Sequence, residues 1–410
     1  ARGIAESQSE RRRRLLLVMS IATNLGILGY FKYFNFFNDV MGSPLPRMRF
    51  LLPVGISFYT FQSMSYTIDV FRRRVQPERH LGQFALYVSY FPQLVAGPIE
   101  RAGNLIPQLR RMPDLRWHNA AFGFQQMLIG FFKKVVIADR LAPLVNTVYA
   151  APEAFEGPQL ALATVFFAIQ IYCDFSGYSD IAIGIARIFG IRIMRNFDRP
   201  YLSKSISEFW SRWHISLSTW FRDYVYIPLG GNRRGPGRVY LNVLVTFLLS
   251  GLWHGANWTF IVWGAYHGVL LMGERFVGRL RSGTVQTPGL MQKMLQGALT
   301  FGLVLVGWVF FRADTIQDAW SVLTRIHLGW LSLNPVADFA DLGLTKTFFL
   351  WSIMLIIGLF TVHFFERRRN LPAMLVRRPF LAMAFSQLLI VGILVMGVMG
   401  DESQFIYFQF

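Results

Sequence analysis

The residue best suited to catalysis lies at the end of a strongly apolar segment. His254 stands in the run LLSGLWHGANW, between Gly251 and Gly255. An imidazole can accept a proton from a hydroxyl group near neutral pH and return it, which makes His254 a candidate general base. Within a membrane segment an ionisable side chain is costly and is therefore a candidate for function. The alternative is a structural hydrogen bond to a neighbouring helix, and this is our interpretation of the later His267.

A second histidine, His214, lies in an amphipathic stretch at residues 203–224. Side chains recur there every three or four residues, which predicts one helix with Ser203 or Ser207 as its N-cap. The side chains with this spacing are Trp210, Trp213, His214, Leu217 and Phe221. The stretch carries too many charges for a lipid-facing span, so the helix either lies in the membrane interface or dips into a polar funnel. His214 could also serve only as a helix cap or a packing residue.

Two acidic residues, Asp174 and Asp180, interrupt another apolar segment. Buried carboxylates are costly unless they are paired or hydrated, so structural ion pairs are the leading interpretation. The arginines that follow closely in the sequence are Arg187, Arg192, Arg195 and Arg199. No group of Asp and His has the spacing of metal ligands, so no metal site is predicted. Cys173 has no nearby histidine and is not predicted to be a nucleophile.

A glycine-rich basic loop at residues 230–237 could bind phosphate. It reads GGNRRGPG, and its backbone amides together with Arg233 and Arg234 could cradle a phosphate group. The loop lacks the GxxxxGK[ST] spacing of a P-loop. On the residues alone, a tight turn on the cytoplasmic side of a membrane is the favoured interpretation.

The composition indicates a membrane protein. The chain has 410 residues, with 41 Lys and Arg against 23 Asp and Glu, and a net charge of +18. Hydrophobic residues make up 53% and charged residues 16%, whereas soluble domains carry about 25% charged residues. So much apolar surface excludes a disordered chain, and one cysteine excludes a disulfide-stapled fold. Basic charge in so apolar a chain favours cytoplasmic loops of a membrane protein over binding of nucleic acid.

Long apolar segments predict an all-α polytopic membrane protein with a single domain over residues 1–410. Each segment approaches the length of a helix that crosses about 30 Å of hydrocarbon. The predicted spans are 15–38, 50–70, 81–99, 119–132 continuing towards 150, 159–190, 239–256, 258–273, 295–311, 346–365 and 379–400. The stretch 92–113, rich in proline, is predicted to be irregular or re-entrant and to line a cavity. Because the chain starts at Ala1 with a polar, basic segment, we expect its first membrane helices to be missing.

Two long sequence blocks resemble the membrane-bound O-acyltransferase (MBOAT) family. They are residues 195–235, RNFDRPYLSKSISEFWSRWHISLSTWFRDYVYIPLGGNRRG, and residues 247–268, FLLSGLWHGANWTFIVWGAYHG. Further matches are GYFKY at 29–33, PVGISFYTFQ at 53–62, FPQLVAGPI at 91–99, DFSGYSD at 174–180 and FIYFQF at 405–410. Within the family, the chain is similar to the bacterial alginate O-acetyltransferase branch, the AlgI type. The similarity covers essentially the whole chain, although relatives of this type begin with additional membrane helices.

The resemblance implies a fold and a site. The fold is an MBOAT-type bundle of about nine to eleven membrane helices, with re-entrant segments and a central polar tunnel. His254 in the WHG motif corresponds to the catalytic residue of the family. His214 in the RWH motif corresponds to the second functional residue, and the family fold brings the two towards opposite ends of a polar path.

The resemblance also implies an activity in the bacterial inner membrane. The chain would take acetyl from acetyl-CoA in the cytoplasm and pass it across the bilayer for O-acetylation of a secreted polysaccharide, with alginate as the best single candidate. No bound cofactor is implied, and a periplasmic or membrane-anchored acetyltransferase is the implied protein partner. Because CoA carries phosphates, a basic cytoplasmic mouth is expected, with Arg233 and Arg234 as its contributors.

Other acceptors and other classes of protein stay open at this point. Cellulose, another exopolysaccharide or peptidoglycan could be the acceptor, while the IPLGGNRRG stretch makes transfer of D-alanine to teichoic acid less attractive. A transporter or channel would use Asp174, Asp180 and His254 as an ion path and would show inverted-repeat symmetry, which is not evident in the sequence. A scaffold of a polysaccharide secretion complex would tolerate replacement of His254. The paired WH motifs favour the enzyme, and they do so through resemblance rather than composition.

Overall fold

The structure, a computed structural model, describes residues 1–42, 45–48, 53, 55–94, 97–111, 115–280, 289–331, 345–366, 371–398 and 405–406. Within these ranges the regular elements are helices and there is no strand, which confirms the all-α prediction. The α-helices are α1 Arg2–Glu6, α2 Glu10–Leu28, α3 Phe34–Val40, α4 Ile56–Phe71, α5 Leu81–Val88, α6 Ala102–Leu109, α7 Trp117–Phe131, α8 Asp139–Ala150, α9 Gly157–Ile188, α10 Ile206–Arg212, α11 Ile215–Phe221, α12 Pro236–His254, α13 Trp258–Leu280, α14 Leu290–Arg312, α15 Ile316–Arg325, α16 Lys346–Glu366, α17 Leu371–Val376 and α18 Pro379–Met396. Short π-helical segments, Gly29–Tyr33, Phe132–Ala138 and Arg222–Tyr226, continue α2, α7 and α11.

Five helical segments in the described ranges are long and apolar enough to cross a membrane. They are Glu10–Val40, Gly157–Ile188, Leu290–Arg312, Lys346–Phe365 and Pro379–Met396. Each of them coincides with a predicted span, so the expectation of a multi-pass helical membrane protein is confirmed in outline.

Two of these helices differ sharply in their surroundings. In its most apolar window, α9 is 83% buried inside the protein, whereas α18 is 11% buried. Large apolar side chains of α18, such as Phe380, Leu394 and Val395, are exposed. An apolar surface of this kind is stable against lipid hydrocarbon rather than water. We therefore interpret α9 as a core helix and α18 as a lipid-facing one.

The prediction of a span at 81–99 is wrong. α5 ends at Val88 after eight residues, which extend about 12 Å along the helix axis. A turn follows at residues 91–94. The side chain of Gln93 donates to the backbone carbonyl of Tyr87 at 3.0 Å, and Pro92 has no N–H group to continue the helix. These features bend the chain away from the helix axis, and the short α6 follows at Ala102–Leu109.

The chain divides into two compact units. The first consists of Ala1–Met127 and Ser179–Arg195, and the second of Leu128–Tyr178 and Asn196–Phe410. Both predicted catalytic histidines belong to the second unit, whose core is rich in aromatic side chains. Fully buried examples in that core are Phe166, Trp213, Trp263, Trp308 and Phe311. A single domain over residues 1–410 stays a prediction.

Candidate active site

Close packing of α12 against α13 places His254. A Cβ atom on Gly251 would lie 2.2 Å from the carbonyl oxygen of Phe260, and one on Gly264 would lie 2.3 Å from that of Phe247. Real side chains do not fit at such distances, so the helices meet through glycine backbone. α12 ends at His254 and α13 begins at Trp258, so His254 lies at the start of the turn that connects these two helices.

Aromatic rings enclose the imidazole of His254. The centre of its ring is 5.0 Å from that of Trp253, 5.0 Å from that of Trp263 and 5.2 Å from that of Phe311. Only 6% of His254 is exposed. Such an enclosure restricts the orientation of the ring and keeps bulk water away, which suits an imidazole that handles a reactive acyl group.

The structure shows two helices where one was predicted over residues 203–224. α10 and α11 are separated by Trp213 and His214, and His214 adopts a left-handed conformation with φ of 42°. The prediction of a continuous helix is therefore wrong. The predicted N-caps are also wrong, since the side chain of Ser205 accepts a hydrogen bond from the N–H of Glu208 and caps α10.

A buried asparagine stabilises the break. The carbonyl oxygen of Asn196 accepts a hydrogen bond from the N–H of Ile215 at 2.9 Å, and its side-chain oxygen accepts one from Ser216 at 3.2 Å. The Nδ1 atom of His214 accepts a hydrogen bond from the N–H of Leu217 at 3.3 Å. The first N–H groups of α11 are thus satisfied by atoms outside that helix, as helix termini require. His214 is an N-cap, one of the roles considered for it from the sequence.

One indole ring contacts both histidines. The ring centre of Trp253 is 6.2 Å from that of His214 and 5.0 Å from that of His254. On α9, the ring of Phe175 contacts His214 with a centre-to-centre distance of 4.6 Å. The structure therefore brings the two histidines of the WH motifs into one buried aromatic cluster. Their chemical roles stay predictions.

His267 belongs to the same cluster but packs as a structural residue would. It is fully buried, and its Nδ1 accepts a hydrogen bond from the indole N–H of Trp210 at 3.4 Å. A Cβ atom on Gly307 would lie 2.5 Å from its Nε2. The ring is therefore pressed against the backbone of α14, which leaves no room for a substrate on that side.

Asp174 pairs with a lysine rather than with an arginine. The Nζ atom of Lys134 lies 2.6 Å from Asp174 and 2.7 Å from Asp139. The second carboxylate oxygen of Asp174 accepts a hydrogen bond from the backbone N–H of Ile406 at 2.8 Å. The expectation of a structural ion pair is confirmed for Asp174, whereas the arginines suggested as its partners are wrong. The partner comes from a separate helical segment, which sequence proximity could not reveal.

The other acid of this segment has an uncharged partner. Asp180 accepts a hydrogen bond from the side-chain amide of Gln126 at 2.6 Å. Among the nearby arginines, Arg199 pairs with its neighbour Asp198 at 2.7 Å. Cys173 is fully buried, in line with a packing role.

Replacing Lys134 with Met should destabilise the protein strongly. The change would leave the carboxylates of Asp174 and Asp139 close together and buried without their shared cation, and removal of one partner of a buried pair costs about 3–5 kcal/mol. We expect a clear loss of thermal stability, measured as retention of a monodisperse size-exclusion peak after heating in detergent. The matched control is Lys346→Met at an exposed position. Equal stability of the two variants would show that the ion triad contributes little.

Arg233 and Arg234 lie at the opposite end of α12 from His254. Both are exposed in the turn before α12, where Gly230 and Gly231 adopt positive φ values of 115° and 53°. The length of α12 separates this turn from His254 by about 27 Å. The loop is thus a tight basic turn, and the assignment of these arginines to CoA phosphates stays a prediction.

Sequence reasoning missed several residues that shape the site. They are Lys134, Asn196, Trp253, Trp263 and Phe311. Asn196, Trp253 and Trp263 lie inside the two sequence blocks that resemble the family, so their position in those blocks was an available signal. Lys134 and Phe311 have no such signal, because each comes from a segment outside both blocks.

Comparison with known proteins supports the resemblance of these motifs to a family. The profile of the membrane-bound O-acyltransferase family, MBOAT, matches residues 56–312, which contain both histidines and both arginines. A protein named "Probable alginate O-acetylase AlgI" from Pseudomonas aeruginosa is 46% identical over 315 residues, which cover 74% of this chain and 58% of that relative. The chain spans less than two thirds of the length of the alginate O-acetylase relatives that it matches.

More distant relatives carry other names. A peptidoglycan O-acetyltransferase from Helicobacter pylori is 36% identical over 364 residues, covering 82% of this chain and 68% of the relative. A teichoic acid D-alanyltransferase from Bacillus subtilis is 27% identical over 278 residues, covering 63% of this chain and 68% of the relative. Since the family profile extends over more than half of the chain and includes both WH motifs, this chain belongs to the membrane-bound O-acyltransferase family.

Proposed function

We propose that this chain is a membrane O-acetyltransferase that serves a secreted polysaccharide. It takes acetyl from acetyl-CoA in the cytoplasm and passes it across the inner membrane for transfer to polymer hydroxyl groups. The observation that carries this proposal is the buried cluster in which Trp253 contacts both His254 and His214. Family membership supports the reaction class, namely O-acylation.

Alginate is the proposed acceptor polymer. The alginate O-acetylase relatives are 44–47% identical to this chain, against 36% for the peptidoglycan O-acetyltransferase. Peptidoglycan is the second candidate because that relative aligns with a larger share of the chain, 82%. Cellulose or another exopolysaccharide would require the same chemistry, because each offers hydroxyl groups to an acetyl donor.

Two chemical routes are open to His254. As a general base, its imidazole nitrogen takes the proton of the acceptor hydroxyl while the oxygen attacks the thioester carbonyl carbon, and the proton then passes to the departing CoA sulfur. As a nucleophile, the nitrogen itself attacks that carbonyl carbon, expels the CoA thiolate and holds the acetyl group. The acceptor oxygen then displaces the imidazole, which takes the hydroxyl proton and passes it on, so that the free base is restored. In both routes the C–S bond of acetyl-CoA breaks and an ester C–O bond forms. The aromatic enclosure protects the acetyl group from water in either case.

The proposed fold adds further membrane helices to the five candidate spans. α12 and α13, with nineteen and twenty-three residues, extend about 28 Å and about 35 Å and could also cross about 30 Å of hydrocarbon. α4 and the continuous segment from α7 to α8 are further candidates. With these helices, the bundle would have about nine to eleven membrane helices around a polar tunnel. We place it in the bacterial inner membrane, with a periplasmic or membrane-anchored acetyltransferase as partner.

The site favours an enzyme over the alternative transporter. Asp174 is held by Lys134, and Asp180 accepts a hydrogen bond from Gln126. Three aromatic rings contact His254. Side chains held in this way suit a fixed structural network and an enclosed catalytic imidazole better than a continuous ion path.

Neutralising the two arginines of the basic turn should weaken the binding of acetyl-CoA. For the double variant Arg233→Gln and Arg234→Gln, we expect a raised apparent KM for acetyl-CoA with little change in kcat, since exposed guanidinium groups attract phosphate before the chemical step. The measurement is initial acetyl transfer or acetyl-CoA hydrolysis in membranes over a range of donor concentrations. An unchanged KM would remove these two arginines from the donor site.

A gene deletion complemented with the full-length protein tests the proposed function. We expect the deletion to lose acetyl ester from one secreted or cell-wall polymer, and the wild-type gene to restore it. The polymer that loses ester identifies the acceptor. Normal acetylation of alginate, other exopolysaccharides and peptidoglycan in the deletion strain would contradict the proposal.

A further inference from the structure

A basic pocket in the first unit is not explained by the proposed acetyl transfer. It has a volume of about 450 Å³, within the range of small-ligand sites. Its lining residues are Gln108, Arg111, Arg116, His118, Asn119, Arg187, Phe189, Gly190, Ile191 and Arg192. Four of these residues are arginines, and none of the described lining residues is acidic.

Two of the arginines are brought together by the end of α9. After α9, Gly190 adopts a left-handed conformation with φ of 71°, and its N–H donates to the carbonyl of Arg187 at 2.9 Å. This reversal is the usual glycine termination of a helix. It returns the chain so that Arg187 and Arg192 line the same pocket. Like charges that converge on one cavity are favourable when an anion binds between them.

The pocket is preorganised by side-chain contacts. Gln108 accepts a hydrogen bond from the N–H of Arg192 at 2.8 Å and donates one to its carbonyl at 3.0 Å, which fixes the turn against α6. The guanidinium group of Arg187 lies 5.3 Å from the ring centre of Phe122. A guanidinium group held in place at the wall of a pocket suits recognition of an oxyanion.

Phosphate is the anion that fits this arrangement. Guanidinium groups bind phosphate oxygens in a planar, two-pronged geometry. The pocket adjoins the last turn of α9, a candidate membrane span, so phosphate groups of both dissolved nucleotides and lipid headgroups can reach it. The exposed ring of Phe189 beside the arginines also offers an apolar surface to the rest of such a ligand.

We propose that this pocket binds a phosphate group through Arg187 and Arg192. The phosphate could come from the nucleotide end of CoA or from an anionic lipid headgroup, and the two sources share the same recognition chemistry. The proposal does not depend on acetyl transfer, since binding can be measured without turnover. It also differs from the predicted contribution of Arg233 and Arg234, which belong to the second unit.

Binding measurements on the full chain in nanodiscs test the proposal. One arm titrates adenosine 3′,5′-bisphosphate into protein in neutral phosphatidylcholine discs. The other arm compares retention of phosphatidylglycerol by native mass spectrometry after exchange into detergent. The test variant is Arg187→Gln with Arg192→Gln, and the matched control is Arg11→Gln with Arg12→Gln, which removes two exposed positive charges from α2. If the double variant misfolds, the single variant Arg192→Gln still tests the pocket. Arg192 is exposed, so its replacement should not disturb folding.

We expect the control to behave like the wild type and the test variants to lose affinity by about tenfold or more, because charged hydrogen bonds to phosphate are removed. Loss confined to the bisphosphate arm would assign a nucleotide phosphate, and loss confined to the lipid arm would assign a headgroup. Equal binding by control and test variants in both arms would overturn the proposal. So would a wild type that binds neither probe.

Discussion

Replacing His254 with Gln should lower polysaccharide acetylation by about a hundredfold or more. Glutamine has a comparable reach but can neither take up a proton near neutral pH nor hold an acetyl group as an imidazole can. The ring contacts with Trp253, Trp263 and Phe311 enclose this one side chain. No other imidazole contacts all three of these rings among the described residues, so we expect little rescue by a neighbour. The measurement is ester content of the polymer in a deletion strain that expresses the variant.

The control for this experiment must separate chemistry from folding. His327→Gln changes an exposed histidine in the same way and should acetylate normally. Membrane abundance of the His254 and His327 variants must match before their ester contents are compared. Full acetylation by His254→Gln at normal abundance would exclude a catalytic role and revive the scaffold or transporter interpretations.

Substitutions at His214 should separate its capping role from a chemical role. Asparagine accepts the N-cap hydrogen bond of Leu217 and tolerates a left-handed backbone, so His214→Asn should fold. Alanine does neither well, and His214→Ala should cost about 1–3 kcal/mol through the lost cap and the strained backbone. If the imidazole also acts on a substrate, as the resemblance implies, His214→Asn should be stable yet lose about a hundredfold in acetylation.

Thermal stability and acetylation must be read together for these two variants. A stable and fully active Asn variant would show that His214 serves only to end one helix and begin the next. A stable but inactive Asn variant would assign chemistry to the imidazole. We expect the second result, because the ring of His214 contacts Trp253 next to His254.

Local sequence patterns were sufficient for the five membrane spans that the structure confirms. Residues 159–190 and 346–365 were predicted as spans, and the structure has helices at Gly157–Ile188 and Lys346–Glu366. Such segments are recognisable because the length and hydrophobicity needed to cross hydrocarbon are properties of one continuous stretch. The two histidines were likewise found from their motifs, since a polar residue in such a setting is conspicuous without any knowledge of its neighbours.

Helical periodicity failed where a remote segment competes with the helix. Apolar spacing predicted one helix over 203–224, yet Asn196 captures the N–H groups of Ile215 and Ser216 and separates α10 from α11. Periodicity records which side chains share a face. It does not record whether another part of the chain satisfies the backbone groups at a break.

The arrangement of the site depends on contacts between distant segments. Lys134 reaches Asp174 from a different helical segment, and Trp253 joins the two WH motifs through its indole ring. Neither contact leaves a pattern along the chain, because each is fixed by helix packing, such as the glycine crossing of α12 and α13. Composition and motifs therefore established a helical membrane protein with two candidate histidines. Their convergence on one aromatic cluster follows from long-range packing, whose geometry no local spacing encodes.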